Sequence, residues 1–179
     1  TNGAISLSYA VDYADGISLD NSSADTAQDV TVTRSKVDGV MDDNGLEIVT
    51  KGDVILDNLV ATNNKNGVYV DNSAGTGSTV TLTNKKGNSV FSNNSQYGLW
   101  IVSSGNVSLS GLTAEANGSD GILVGTTGSL LVSDALLYRN SGTGINATAH
   151  TGITLYKVRA IYNGNTADGD GATLTVMDE

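Results

Sequence analysis

Apolar residues recur along this chain as short apolar-x-apolar triplets at a nearly constant interval. The first set comprises Ile5-Ser6-Leu7, Val30-Thr31-Val32, Val54-Ile55-Leu56, Val80-Thr81-Leu82, Val107-Ser108-Leu109, Leu130-Leu131-Val132 and Ile153-Thr154-Leu155. Their starts lie 25, 24, 26, 27, 23 and 23 residues apart. Alternation with period two predicts strands that turn their flanking residues inward and the middle one outward. A strand repeat of about 24 residues predicts one coil of a β-solenoid per period, with three short strands to the coil.

A second strand follows in nearly fixed phase and opens on glycine: Gly16-Ile17-Ser18-Leu19, Gly45-Leu46-Glu47-Ile48, Gly67-Val68-Tyr69-Val70, Gly98-Leu99-Trp100-Ile101, Gly121-Ile122-Leu123-Val124 and Gly144-Ile145-Asn146-Ala147. Gly171-Ala172-Thr173-Leu174 is a last, irregular member. Glycine at a strand entrance suits a sharp corner of positive φ where a Cβ would clash. A third element reads Leu59-x-Ala61, Leu112-x-Ala114, Ala135-x-Leu137 and Val158-x-Ala160, with Asn64, Asn117, Asn140 or Asn163 three residues on. The coil starting at Val80 carries a four-residue insertion, after which Phe91 and Asn94 restore the pattern.

These periods predict an all-β fold: a single-stranded right-handed parallel β-helix of about seven coils, each roughly 24 residues. One domain covers 1–179, standing alone or as a segment of a longer solenoid. At about 4.8 Å per coil the rod is roughly 34 Å long. Asn64, Asn94, Asn117, Asn140 and Asn163 are expected to stack inward as a ladder of side-chain amides.

The pattern apolar-Thr-Leu-Thr-Asn-x-x-Ala-x-x-Asn-(x)-Gly-Ile-x-Val resembles the right-handed parallel β-helix repeats of bacterial and archaeal surface and adhesin-like proteins. The same architecture holds pectate lyases and other polysaccharide-processing enzymes. The resemblance covers nearly the whole chain and implies an architecture; lyases, adhesins and stalks share it, so it does not choose an activity.

Composition narrows the classes of partner. The chain carries 22 Gly, no Pro, no Cys and a formal charge of -10, with Lys and Arg together numbering 9. Too few cations cluster to neutralise phosphates, so no nucleic-acid partner is expected. No apolar run approaches the roughly 20 residues of a membrane helix, so no membrane insertion is expected. Without Cys there are no disulfides or thiolate metal sites. The polar exterior of Asn, Ser and Thr suits an extracellular or cell-surface setting.

The outward positions of the glycine-started strands carry the candidate contact surface: Ser18, Glu47, Tyr69, Trp100, Leu123 and Asn146 in consecutive coils. Tyr69, Trp100 and Leu123 should sit above one another on a solvent face, an apolar stripe of the kind that marks contact. It could stack on sugar rings, meet another subunit, or be covered by the insertion between Asn84 and Ser89 or the long turn 72–79.

Other signals are weaker. Asn-x-Ser/Thr sequons make Asn106, Asn146 and Asn21 glycosylation candidates; Asn93 and Asn117 also head sequons, the latter inside the expected ladder. The turns containing Asp42 and Asp43, and Asp168 and Asp170, could hold Ca²⁺ through carboxylate and carbonyl oxygens, although a solvated Asx turn explains each and no cofactor is expected. The single His150 has no triad partner nearby in sequence, and outward carboxylates are too few for a paired-acid glycosidase. Thr-x-Thr pairs at Thr31 and Thr81 are interrupted by Ile55 and Asp57, which breaks any ice-binding lattice.

The expected function is therefore a non-catalytic structural or adhesive protein, as a cell-surface layer or as a head-to-tail filament subunit. End-to-end self-association or a surface glycan would be its partner. The alternative is a carbohydrate-binding or polysaccharide-processing module that uses the Tyr69/Trp100 face.

Overall fold

The computed structural model describes residues 6–7, 15–84, 87–164 and 174–178. Every strand pairing in it is parallel, and the strands form two sheets. The seven-stranded sheet stacks Ile17–Asp20, Asn44–Val49, Asn66–Asp71, Leu99–Ser103, Ile122–Thr126, Ile145–Ala149 and Leu174–Asp178 in chain order. The first six are the glycine-started segments of the sequence; the last pairs Leu174 with Ile145, two residues later than a start at Gly171 predicts, and the seven rungs span about six turns of chain.

The ten-stranded sheet combines the other two elements of each coil, and Ser6–Leu7 joins it on Lys36–Asp38, in the third-element ladder and not in the Val30 ladder that its apolar pattern predicts. In the early coils the two elements are separate strands, such as Val54–Asp57 and Val60–Thr62. In the later coils they fuse into the continuous strands Val107–Glu115, Ser129–Tyr138 and Gly152–Ile161. The corner between them persists even where the strand is unbroken. Arg34, Asn58, Gly111, Asp134 and Lys157 hold it with φ of 51, 53, 66, 50 and 53°.

Alternation sorts the side chains as the apolar spacing predicts. Val54, Leu56, Val80, Leu82, Val107, Leu109, Leu130 and Val132 are buried on one wall, facing Leu46, Ile48, Val68, Val70, Leu99, Ile101, Ile122 and Val124 on the other. Phe91, fully buried, fills the third-element position of the coil with the insertion. No single coil could bury this column alone, because each rung supplies the cover for its neighbours.

The asparagine ladder runs down one corner of that interior. Asn64, Asn94, Asn117, Asn140 and Asn163 are all buried. The Nδ2 of each of the first four donates to the Oδ1 of the next, at 3.2, 2.9, 2.8 and 2.8 Å. The same oxygens accept the backbone N–H one rung back, so that Asn64 N reaches Asn94 Oδ1 at 3.0 Å. Val40 occupies the ladder position in its coil and donates its N–H to Asn64 Oδ1 at 2.9 Å.

The glycine column beside the ladder has a cause other than the expected one. None of Gly16, Gly45, Gly67, Gly98, Gly121 and Gly144 has positive φ. Positive φ falls instead on the residue before each ladder asparagine: Asn63, Asn93, Ala116, Arg139 and Tyr162, at 55–58°. What requires glycine is proximity. A Cβ on Gly98 would lie 2.5 Å from the carbonyl of Gly121 and 2.8 Å from Asn117 Nδ2. The ladder amides and the next rung's backbone fill the space where a side chain would begin.

Candidate functional site

The outer surface of the seven-stranded sheet is a grid whose columns can be read from the register. One column runs Ser18, Glu47, Tyr69, Trp100, Leu123, Asn146, each paired directly with the next. Two residues further along the strands, Asp20, Val49, Asp71, Val102, Gly125 and Thr148 form a second. On the other side, ahead of the glycines, stand Asp15, Asn44, Asn66, Tyr97, Asp120 and Thr143.

Tyr69, Trp100 and Leu123 thus occupy adjacent rungs, one strand spacing of about 4.8 Å apart. The Tyr69 and Trp100 rings lie 4.7 Å apart at 56°. Tyr97 closes on Trp100 from the preceding column, 5.5 Å away at 54°. These tilted contacts suit the aromatic quadrupole and hold Trp100 between two phenol rings. All three aromatics are half-buried, as is Leu123. Sequence reasoning missed Tyr97, which precedes its glycine and so lies outside the strand alternation.

Hydrogen bonds tie the grid together at its edges. The Tyr69 hydroxyl donates to Asp71 Oδ2 at 3.3 Å. Burial, the Asp71 charge and this bond push the phenol up to about 12. Asn66 Nδ2 donates to Asn44 Oδ1 at 2.9 Å, and Tyr97 N to Asn66 Oδ1 at 3.2 Å. Asp120 accepts from Thr143 N and Oγ1 through one oxygen and from Asn146 Nδ2 through the other.

Glu47 is the perturbed acid of this face. Burial first, then a hydrogen bond and like charge from Asp15, raise its carboxyl to about 7, opposed by the Ser18 hydroxyl at 3.2 Å. Asp15 lies in the loop before the first glycine, where the periodicity is weakest, so its pairing with Glu47 was not legible.

Of the two segments expected as covers, the turn 72–79 touches the grid through Ser73, whose N and Oγ donate to Asp71 Oδ1 at 2.9 and 2.6 Å, and the other contacts of the described residues lie elsewhere. The turn 72–79 packs on the turn of the previous coil: Asn72 Nδ2 donates to Gly52 O at 3.2 Å and Ser78 Oγ to Lys51 O at 2.5 Å. The insertion after Asn84 is closed by Asn84 Nδ2 on Asn88 Oδ1 at 2.8 Å. Asn88 lines a groove of about 380 Å³ with Arg34, Lys36 and Asn58, at the corner of the ten-stranded sheet.

Other expected sites are placed as follows. Asn106 is exposed, with Oδ1 accepting Ser129 N and Oγ at 2.9 and 3.0 Å. Asn146 is half-buried with its amide on Asp120, and Asn21 donates Nδ2 to Gln28 O at 3.3 Å. Asp42 is exposed, while Asp43 Oδ1 accepts the N–H of the next residue, Asn44, at 3.0 Å. Among the described residues no three carboxylate or imidazole groups converge to hold a metal ion. Asp168 and Asp170 lie outside the described residues.

Stacked parallel rungs, an interior amide ladder and an outward strand grid define a parallel β-helix. The chain belongs to the right-handed β-helix family, whose profile, a right-handed β-helix region, matches residues 54–177. The same ladders continue below the matched span, through Val30 on Val54 and Leu46 on Val68. No curated protein and no solved structure matches the chain.

Proposed function

We propose that this chain is a non-catalytic adhesive β-helix of the cell surface or extracellular space, which holds a glycan against its Tyr69–Trp100 face. The observation that carries the reading is the aromatic cluster itself. The one Trp of the chain stands on an outward strand position, packed between Tyr69 and Tyr97, with its rung neighbours Leu123 and Tyr69 continuing the surface. An indole held rigid by two phenols is a preformed platform, which lowers the entropic cost of stacking a sugar ring on it. A half-buried polar side chain, Asn146, stands two rungs along the same column for hydroxyl recognition.

The rod supplies rigidity rather than chemistry: each rung repeats the one below, so the face keeps its geometry under load. Binding to a glycan array that is lost in Trp100→Ala, while the circular dichroism spectrum stays native, is the expected result. An array on which wild type and variant score alike would refute the assignment.

A further inference from the structure

We infer that the glycan recognised here is built of amine-bearing hexoses, held as a polycation between carboxylates. This rests on the glycan reading above and adds the class of sugar.

The charge on the grid has one sign. Asp15, Asp20, Glu47 and Asp71 occupy its three columns over three consecutive rungs, about 10 Å of sheet, and a fifth acid, Asp120, is buried two rungs further on. No Lys or Arg occupies a grid position. Among the described cations, Lys51 donates Nζ to Ala24 O at 2.9 Å. Lys36 and Arg159 pair within the ten-stranded sheet, and Arg34, Arg139 and Lys157 are at its corners. Lys65, at the corner just before Asn66, borders the grid.

The acids also stand where a stacked chain would reach them. Asp71 is one rung from Trp100 and two residues along its strand, and Glu47 is two rungs away in the same column, about 10 Å. On the other side the column meets Leu123, beside Gly125, where a Cβ would touch nothing within 4 Å. A sugar stacked on Trp100 therefore has apolar floor toward Leu123 and, on the other side, the Asp71 carboxylate with the Asp15–Glu47 acid pair beyond it. A uronate or sulfated sugar would set anion against anion across this face. A protonated amine gains from several carboxylates lying within a Debye length.

The test compares glucosamine, glucose and galacturonate oligomers of equal length, titrated against the full chain by calorimetry at low and high salt. The glucosamine oligomer is expected to bind at least about tenfold tighter than the glucose oligomer at low salt, with the gap narrowing as salt screens it. Asp71→Asn, which keeps an acceptor for Ser73, should shrink that preference severalfold and leave glucose binding in place. Equal binding of amine and neutral oligomers, or tightest binding of galacturonate, overturns the sugar class and leaves the glycan reading standing. Failure of all three on a natively folded sample overturns both.

Discussion

Asn94 and Asn117 share one carbonyl: Asn117 Oδ1 accepts the backbone N–H of Asn94 at 3.1 Å and its side-chain Nδ2 at 2.9 Å. Asn117 Nδ2 in turn donates to Phe91 O at 3.1 Å and to Asn140 Oδ1 at 2.8 Å. One side chain thus satisfies buried polar groups on the rungs either side of its own. Asn117→Ala removes these four hydrogen bonds from a dry interior. Asn94 Nδ2 keeps Ala61 O and Asn140 Oδ1 keeps the residue-117 N–H. The Asn94 N–H loses its acceptor, and a buried group left unpaired costs about 1–3 kcal/mol if water does not reach it. Partial relaxation should reduce the total to about 3 kcal/mol. Urea denaturation measures it; a loss below about 1 kcal/mol would mean that the ladder is not a main determinant of stability.

Two glycines one rung apart should respond in opposite ways. Gly98→Ala drives a Cβ into the Gly121 carbonyl and the Asn117 amide, and overpacking of this kind costs about 1–3 kcal/mol. Gly125→Ala places a methyl in open space on the outer face and should fall within about 0.5 kcal/mol of wild type. Thermal melts of the pair separate proximity from backbone conformation as the reason for the glycine column.

Stability should fall as pH rises from about 4.5 to 7. The Glu47 carboxyl is raised in the folded protein from its ordinary 4.5 to about 7, so in this window the folded state binds more protons than the unfolded one. Its contribution is fully present below 4.5 and gone above 7. Glu47 is partly solvated, so screening cuts the effect to on the order of 1 kcal/mol. Asp38, held down by Asn63 and Thr62, acts with opposite sign and only below its ordinary 3.8, clear of the Glu47 window. Denaturation free energies for wild type and Glu47→Gln across this range should show the slope disappear in the variant.

Phe91→Ala should be the most damaging change in the coil that carries the insertion. The ring is fully buried and is the largest side chain of the interior. Its loss leaves a cavity between Ala61 and Ala114, the small residues it pairs with on either side. Truncations of this type cost about 3–5 kcal/mol. Tyr156→Ser, on an exposed outward position, should be nearly silent in the same denaturation assay.

Periodicity made the rungs, both walls and the asparagine column legible, because each rests on a side chain that repeats. Ala116, Arg139 and Tyr162 share one left-handed conformation but no chemistry, so nothing in their side chains marks the corner. That corner is imposed by its neighbours: Ala116 N donates to Tyr138 O at 2.9 Å while Asn117 N is held by Asn140 Oδ1 at 3.1 Å. Tyr69, Trp100 and Leu123 could be stacked from strand alternation alone. Tyr97 and Asp15 escaped because they stand in loops ahead of the glycines. Their signal was the column itself, whose neighbouring members are Asn44, Asn66 and Asp120.

The ladder also makes the rod's length adjustable in whole coils. Asn94, Asn117 and Asn140 occupy one environment at successive heights, so excising 117–139 would splice Ala116 to Asn140 and reproduce the junction it removed. Leu99 would then pair with Ile145 and Val107 with Ile153, exchanges of like for like across every layer of the interior. The outer faces would register the cut, since Trp100 would face Asn146 in place of Leu123 and Thr113 would face Arg159 in place of Leu136. Duplication or loss of a coil thus offers this lineage a route to new binding faces that leaves the scaffold's own contacts unchanged.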